Sequence, residues 1–266
     1  MFKNLTIGQH YPVESPIHNL DPRMKIIVTF AFIISLFLIK DFTAYLYVVA
    51  FLAVAIISSK VPVKFVLRGL RPIFFIILIT FIINILMTPG NVIIFHLGFI
   101  KITDLGLRQA GFMALRLTLL IMGTSLLTLT TSPILLTDGI ESLLNPFKKI
   151  GVPAHELAMM MTIALRFIPT LMEETEKIMK AQKSRGADFE SGNVINRAKN
   201  LIPLLVPLFI SAFRRADELA MAMEARCYRG GENRTRMRQL KIAKGDYVAS
   251  FIFLIYFAAI IISRIW

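Results

Sequence analysis

The sequence predicts an all-α, polytopic membrane protein, on three observations. Hydrophobic residues make up 56% of the 266 and the mean hydropathy is +0.67. Ordinary soluble domains hold about 45–50% apolar residues. Five stretches approach the run of about 17–25 mostly apolar residues that a helix needs to cross a bilayer: residues 24–40, 42–59, 72–88, 109–131 and 246–264. The 30 Lys and Arg outnumber the 17 Asp and Glu, and they concentrate in particular connections between the apolar runs.

Taken in order, the first twenty residues are polar and proline-punctuated, without the apolar core of a cleavable signal peptide. The first two spans meet at Lys40-Asp41, which leaves room only for a tight hairpin. Pro62 and Pro72 bracket the next connection, and Pro72 suits the first turn of the third span. Residues 89–104 are apolar with turn signals at both ends, compatible with a small hairpin or a re-entrant segment. The 60–71 connection holds Lys60, Lys64, Arg68 and Arg71 without an acid, so it is expected in the cytoplasm. The 40–41 and 89–104 connections balance one base against one acid and are expected outside. The N-terminus then lies in the cytoplasm and the C-terminus outside. Three regions follow: helices one to four in 1–131, a cytoplasmic domain in 132–245, and a final membrane helix in 246–266.

The 132–245 region carries 18 Lys and Arg against 12 Asp and Glu. Its apolar runs, 157–172 with Arg166 and Pro169 and 201–213 with Pro203 and Pro207, are short for spans. They suit buried or interfacial helices better. A charged helical run follows each: EETEKIMKAQKSRG after the first and RRADELAMAMEARCYRGG after the second. The layout therefore repeats: apolar helix, charged extension, arginine tip, glycine terminator.

The tips are Ser184-Arg185-Gly186 and Ala225-Arg226-Cys227. A cation at a helix C-terminus complements the dipole for about 0.3–1 kcal/mol, and Gly186 suits a left-handed cap. Small neighbours also leave each guanidinium free to enter a partner's groove and meet a carboxylate with two parallel hydrogen bonds. Residue chemistry alone leaves both readings open.

Signatures of catalysis are missing from the sequence. Gly-Lys never occurs, so there is no phosphate-binding loop of the G-x-x-x-x-G-K-[ST] type. Neither a G-x-S-x-G elbow nor an H-E-x-x-H pair appears. The single cysteine, Cys227, excludes an intrachain disulfide and a cysteine-based zinc site, and the four histidines are scattered. Glu173, Glu174 and Glu176 with Lys177, Lys180 and Lys183 have the spacing of a solvated helix face. Arg108 can reach an interface, whereas Arg116 lies deeper and is expected to face protein or water. A structural or a substrate-contacting role for Arg116 stays open. Met159, Met160, Met161, Met172, Met179, Met221 and Met223 fit ordinary core filling or, as the second reading, an adaptable binding surface. The basic tail of Arg229, Arg234, Arg236, Arg238, Lys241 and Lys244 suits anionic headgroups. Nucleic acid fits less well, because no aromatic platform interleaves with these charges.

Several motifs together resemble the transmembrane T component of energy-coupling-factor (ECF) transporters, ABC-type importers of vitamins and other micronutrients in prokaryotes. They are Leu20-Asp21-Pro22-Arg23, Arg166-Phe167-Ile168-Pro169, the Arg215–Ala220 run and the paired arginine tips. Family tips usually read Ala-Arg-Gly; here small flanking residues are kept but the triplets differ. The resemblance covers nearly the whole chain and implies a non-catalytic subunit of a prokaryotic cell membrane. Long cytoplasmic helices would cross and couple two ABC ATPase subunits, like or unlike, to one substrate-binding S component. Arg185 and Arg226 would seat in grooves of the ATPases. The partners would use ATP and Mg, and this chain would bind no cofactor, metal or nucleic acid. Met159, Met160, Met161, Leu204 and Leu205 are expected at the S-component interface. The alternatives are an ordinary ABC permease subunit, which would dimerise symmetrically, and a membrane-embedded enzyme, which would need carboxylates or histidines converging at membrane depth.

Overall fold

Asp21-Pro22 starts the first helix, α1 (Pro22–Leu38), in the computed structural model. Proline at the first helical position gives up an N–H that would lack a helical partner there, and the Asp21 carboxylate accepts from the Arg23 N–H. The structure describes residues 10–90, 93–97, 100–189, 193–231 and 239–265. The chain divides into two compact units, one of Gly8–Leu143 with Arg238–Trp266 and one built on Leu144–Met237. The second is thus inserted into the sequence of the first.

In the first unit, α1 turns directly into α2 (Phe42–Ser59), as Lys40-Asp41 predicts. Lys60 closes α2 in the left-handed conformation with its N–H on the Ile57 carbonyl, and Pro62 stands just beyond. The connection expected at 60–71 contains a short helix, α3 (Val63–Arg68), and turns that run on to Ile73. Pro72 therefore precedes α4 (Phe74–Met87) instead of occupying its first turn. Within 89–104, β1 (Ile93–Leu97) pairs antiparallel with β2 (Ile100–Thr103), as the small-hairpin alternative expects. Thr103 then caps α5 (Asp104–Thr130) by accepting the Gly106 N–H. A helix α6 (Pro133–Leu144) follows, and Lys244–Ile265 form the last helix of the chain.

The core of this unit is a seam among α1, α2, α5 and the last helix. Phe32, Leu36, Val48, Leu52, Leu119 and Ile260 are among its buried side chains. Ring stacking of Phe51 on Tyr256, with centroids 4.4 Å apart, continues it. The Tyr256 hydroxyl, taken out of water, meets the Ser35 hydroxyl at 2.7 Å. Gly123 lets α5 approach α1, since a Cβ there would run into the Phe32 ring. The outward faces are equally apolar: Phe30, Phe37, Leu46, Ile57, Phe251 and Leu254 are all exposed. Such a surface is stable only against lipid or another protein.

Among the described residues, three helices are long and apolar enough to cross a membrane: α2, α5 and the last helix. The other two expected spans are shorter. α1 has 17 residues and α4 has 14, or about 26 and 21 Å of helix at 1.5 Å per residue, against about 30 Å of hydrocarbon. Thr88-Pro89 and the turns around Pro72 clip α4 at both ends.

In the second unit, a 3-10 turn (Asn145–Ile150) ends on left-handed Gly151. Two long helices follow, α7 (Ala154–Ser184) and α8 (Val194–Ala225), packed on each other. The last helix is therefore α9. In both α7 and α8, the apolar run and its charged extension form one unbroken helix. Pro169 in α7 and Pro203 and Pro207 in α8 lie inside these helices. Each proline removes one helical hydrogen bond.

Candidate functional site

Arg185 and Arg226 cap α7 and α8, and both are exposed. At the first end, the Ala187 N–H reaches the Gln182 carbonyl and the Gly186 N–H reaches Lys183, both at 3.0 Å. At the second, the Tyr228 N–H reaches Met223 at 3.0 Å and the Cys227 N–H reaches Glu224 at 2.8 Å. This pair of bonds is the Schellman closure, which satisfies the last carbonyls through one left-handed residue. That residue is Gly186 (φ 88°) in the first case and Cys227 (φ 54°) in the second. Every partner in the second closure stands 41 positions after its counterpart in the first.

The second closure differs from the sequence expectation, which assigns a glycine terminator to both. Gly230 and Gly231 lie too far along; α8 ends at Ala225 and Cys227 takes the left-handed turn. A side chain there costs about 1–2 kcal/mol. The two ends are geometrically matched but unequal in backbone strain. The smaller flanking residues also fall into place: Ser184 closes α7 with its hydroxyl donating to the Lys180 carbonyl, and Ala225 closes α8.

The same 41-residue offset marks a contact that sequence reading misses. Arg215 of α8 donates to the Glu174 carboxylate of α7 at 3.1 Å, and 215 is 174 shifted by 41. Equivalent positions on the two helices therefore meet. Each arginine cap lies eleven residues beyond this pair, giving two arms of about 16 Å at 1.5 Å per residue. Aligning the two tips on their arginines would have exposed the acid–base match. Glu174 reads instead as one of several acids on a solvated face.

The residues expected at an S-component surface are distributed unevenly. Met160 and Met161 are exposed, Met159 is half-buried, Leu205 is exposed, and Leu204 is buried at 6% exposure. Around Leu205, α8 shows a broad apolar stripe: Ile202, Val206, Phe209, Ile210 and Phe213 are all exposed. Their spacing of three and four places them on one helical face.

Arg116 has a structural engagement within the membrane helices. Its Nη2 donates to the Ile39 carbonyl at 3.2 Å, at the cap of α1, and its guanidinium lies over the Phe37 and Phe112 rings. An arginine at this depth is held by carbonyl and ring together.

The fold and these paired ends define an all-α, polytopic membrane protein with an inserted two-helix unit. A family model described as cobalt transport protein, CbiQ, matches residues 13–237. The energy-coupling factor transporter transmembrane protein EcfT of Clostridium kluyveri is 60% identical over 267 residues, covering 100% of this chain and 99% of the relative. The protein of the same name from Thermosediminibacter oceani is 64% identical over 247 residues, 93% of each chain. That of Bacillus subtilis is 51% identical over 261 residues, 98% of each. The chain belongs to this family, the transmembrane components of energy-coupling factor transporters.

Proposed function

We propose that this chain is the scaffold through which two ABC ATPases drive a substrate-binding S component during micronutrient uptake. Region 132–245 would act as the cytoplasmic coupling domain, flanked by membrane helices in 1–131 and 246–266. The carrying observation is the matched closure of α7 and α8, which offers two exposed arginines on equal arms from one ion pair. Two like grips suit two like motors. Arg185, set between Ser184 and Gly186, docks on one ATPase, and Arg226, set between Ala225 and Cys227, docks on the other. Each guanidinium offers a fork of donors to a carboxylate or to carbonyls in the groove. The partners use ATP and Mg; this chain carries motion.

The apolar stripe on α8 supports the second half of the reading. In this reading an S component covers Leu205 and its exposed neighbours on α8, and the exposed Met160 and Met161 of α7, in the assembly. Unbranched methionine side chains adapt to different partners.

Co-purification from detergent tests the docking role. Arg185→Glu and Arg226→Glu each weaken ATPase association, and the double variant abolishes it, because an unmatched buried charge costs about 3–5 kcal/mol. Full retention of both ATPases by the double variant overturns the proposal.

A further inference from the structure

The inserted unit joins the membrane unit through two stretches of chain, one leaving after Leu143 and one returning at Arg238. One guanidinium holds both. Arg23, in the first turn of α1, donates from Nη1 to the Ser142 hydroxyl at 3.2 Å and from Nη2 to the Leu240 carbonyl at 3.1 Å. Ser142 lies just before the departure and Leu240 just after the return.

The surroundings make the Arg23 clasp rigid. The Asp21 carboxylate accepts Arg23 Nε at 3.1 Å and Nη2 at 2.9 Å, so the fork is fixed in orientation. Asp21 is itself anchored, since its backbone N–H donates to Asp246 Oδ1 at 2.7 Å. Asp246 is 1% exposed, and its other oxygen accepts the Ala243 N–H at 2.7 Å. Two residues along α1, Lys25 Nζ donates to the Thr130 carbonyl at the end of α5 and to the His18 carbonyl, both at 3.0 Å. The first turn of α1 thus ties together α5, α6, the segment leading into α9 and the residues just before α1. Buried charge-assisted bonds of this kind persist only where every partner is satisfied.

We propose that Arg23 is a positioning residue for energy coupling: it fastens the outgoing and returning strands to α1, so that displacement of the inserted unit reaches the membrane helices as one movement. Without it, each strand is a separate tether that swivels independently and dissipates the stroke. This rests on the coupling role proposed above. It differs from docking in place and in consequence, because it predicts a complex that assembles, burns ATP and transports poorly.

The test uses the complete complex of this chain, its ATPases and an S component in proteoliposomes, measuring ATP hydrolysed per substrate taken up. Arg23→Gln is expected to keep the ATPases bound and hydrolysing within about twofold of the parent, while uptake falls about tenfold, so the ratio rises about tenfold. Arg23→Lys keeps the charge but not the fork, and is expected to lie between the two. Ser142→Ala removes one acceptor from the end of α6 and should raise the ratio about two- to threefold. An unchanged ratio in an assembled Arg23→Gln complex overturns the clasp. Should Arg23→Gln fail to assemble, Ser142→Ala decides: a raised ratio supports the clasp and a parental ratio overturns it. If the parent chain captures no ATPase at all, the coupling role falls and the clasp falls with it; a working parent with a neutral Arg23→Gln sinks the clasp alone.

Discussion

Replacing Gly186 by alanine perturbs one arginine tip without touching its charge. Nothing lies within 4 Å of where the new methyl would stand, so the substitution creates no clash. Its cost is confined to the backbone: at φ 88° an L-residue is disfavoured by about 1–2 kcal/mol. The closure of α7 rests on the Gly186 and Ala187 N–H groups, and that strain opens it part of the time. If Arg185 docks only from the closed form, apparent affinity falls by the lost population, at most about five- to thirtyfold at about 1.4 kcal/mol per decade. Cys227→Gly does the reverse at the second tip. It relieves a similar strain, partly offset by about 0.5–1 kcal/mol of unfolded-state freedom, so affinity there holds or rises slightly. The assay is a titration of purified ATPases onto the chain in nanodiscs, with Arg185→Ala and Arg226→Ala as references for complete loss of each contact. Parental binding by Gly186→Ala, alongside strong loss in Arg185→Ala, would refute presentation of the arginine by a fixed cap.

Charges placed in the apolar surface should act selectively: Met160→Glu and Leu205→Glu reduce S-component capture about tenfold or more while ATPase binding persists, and the opposite pattern removes that surface from the interface. Glu174 and Arg215 are each about a third exposed at the side chain, so a double-mutant cycle with glutamine at both should give about 0.5–1 kcal/mol of coupling; strictly additive melting shifts would leave the pair without energetic weight. Burial holds the His18 imidazole below its ordinary pKa, with Nε2 at 3.0 Å from the Tyr11 carbonyl and Nδ1 at 2.7 Å from the Ser15 hydroxyl. Its folded pKa being depressed, its stabilising contribution is present above about pH 6.5 and is lost as pH falls through the folded value. Thermal unfolding in detergent at pH 7.5 and 5.5 should therefore show a larger acid loss in the parent than in His18→Gln, and equal losses would exclude His18 as the cause.

Helix content and the paired ends were legible because their signals are local. Long apolar runs, Asp21-Pro22 at a start and Lys40-Asp41 at a turn each depend on neighbours in sequence. Gly186 announces its left-handed cap by lacking a Cβ. Cys227 does not, because hydrogen bonds from Cys227 and Tyr228 override the preference of a side chain. The family resemblance implies long helices here, and α7 and α8 do run on through Pro169, Pro203 and Pro207, which the local breaker signal alone would not suggest. Lengths misled at α4, where composition reads through to residue 88 but the turns at Leu70–Ile73 hold the start back. Asp21, Arg23, Ser142, Leu240 and Asp246 are separated by up to 225 residues, and no periodicity in one sequence links them. Arg116 likewise finds Ile39 only through the folded meeting of α1 and α5.

The exposed Cys227 sulfur is the molecule's sole thiol, one residue from Arg226. A maleimide dye would therefore attach beside one prong and leave its twin at Arg185 unlabelled, with no engineered cysteine and none to remove. If Arg226 docks on an ATPase as proposed, energy transfer from that single fluorophore to an acceptor placed on each ATPase subunit in turn would tell which of them takes it.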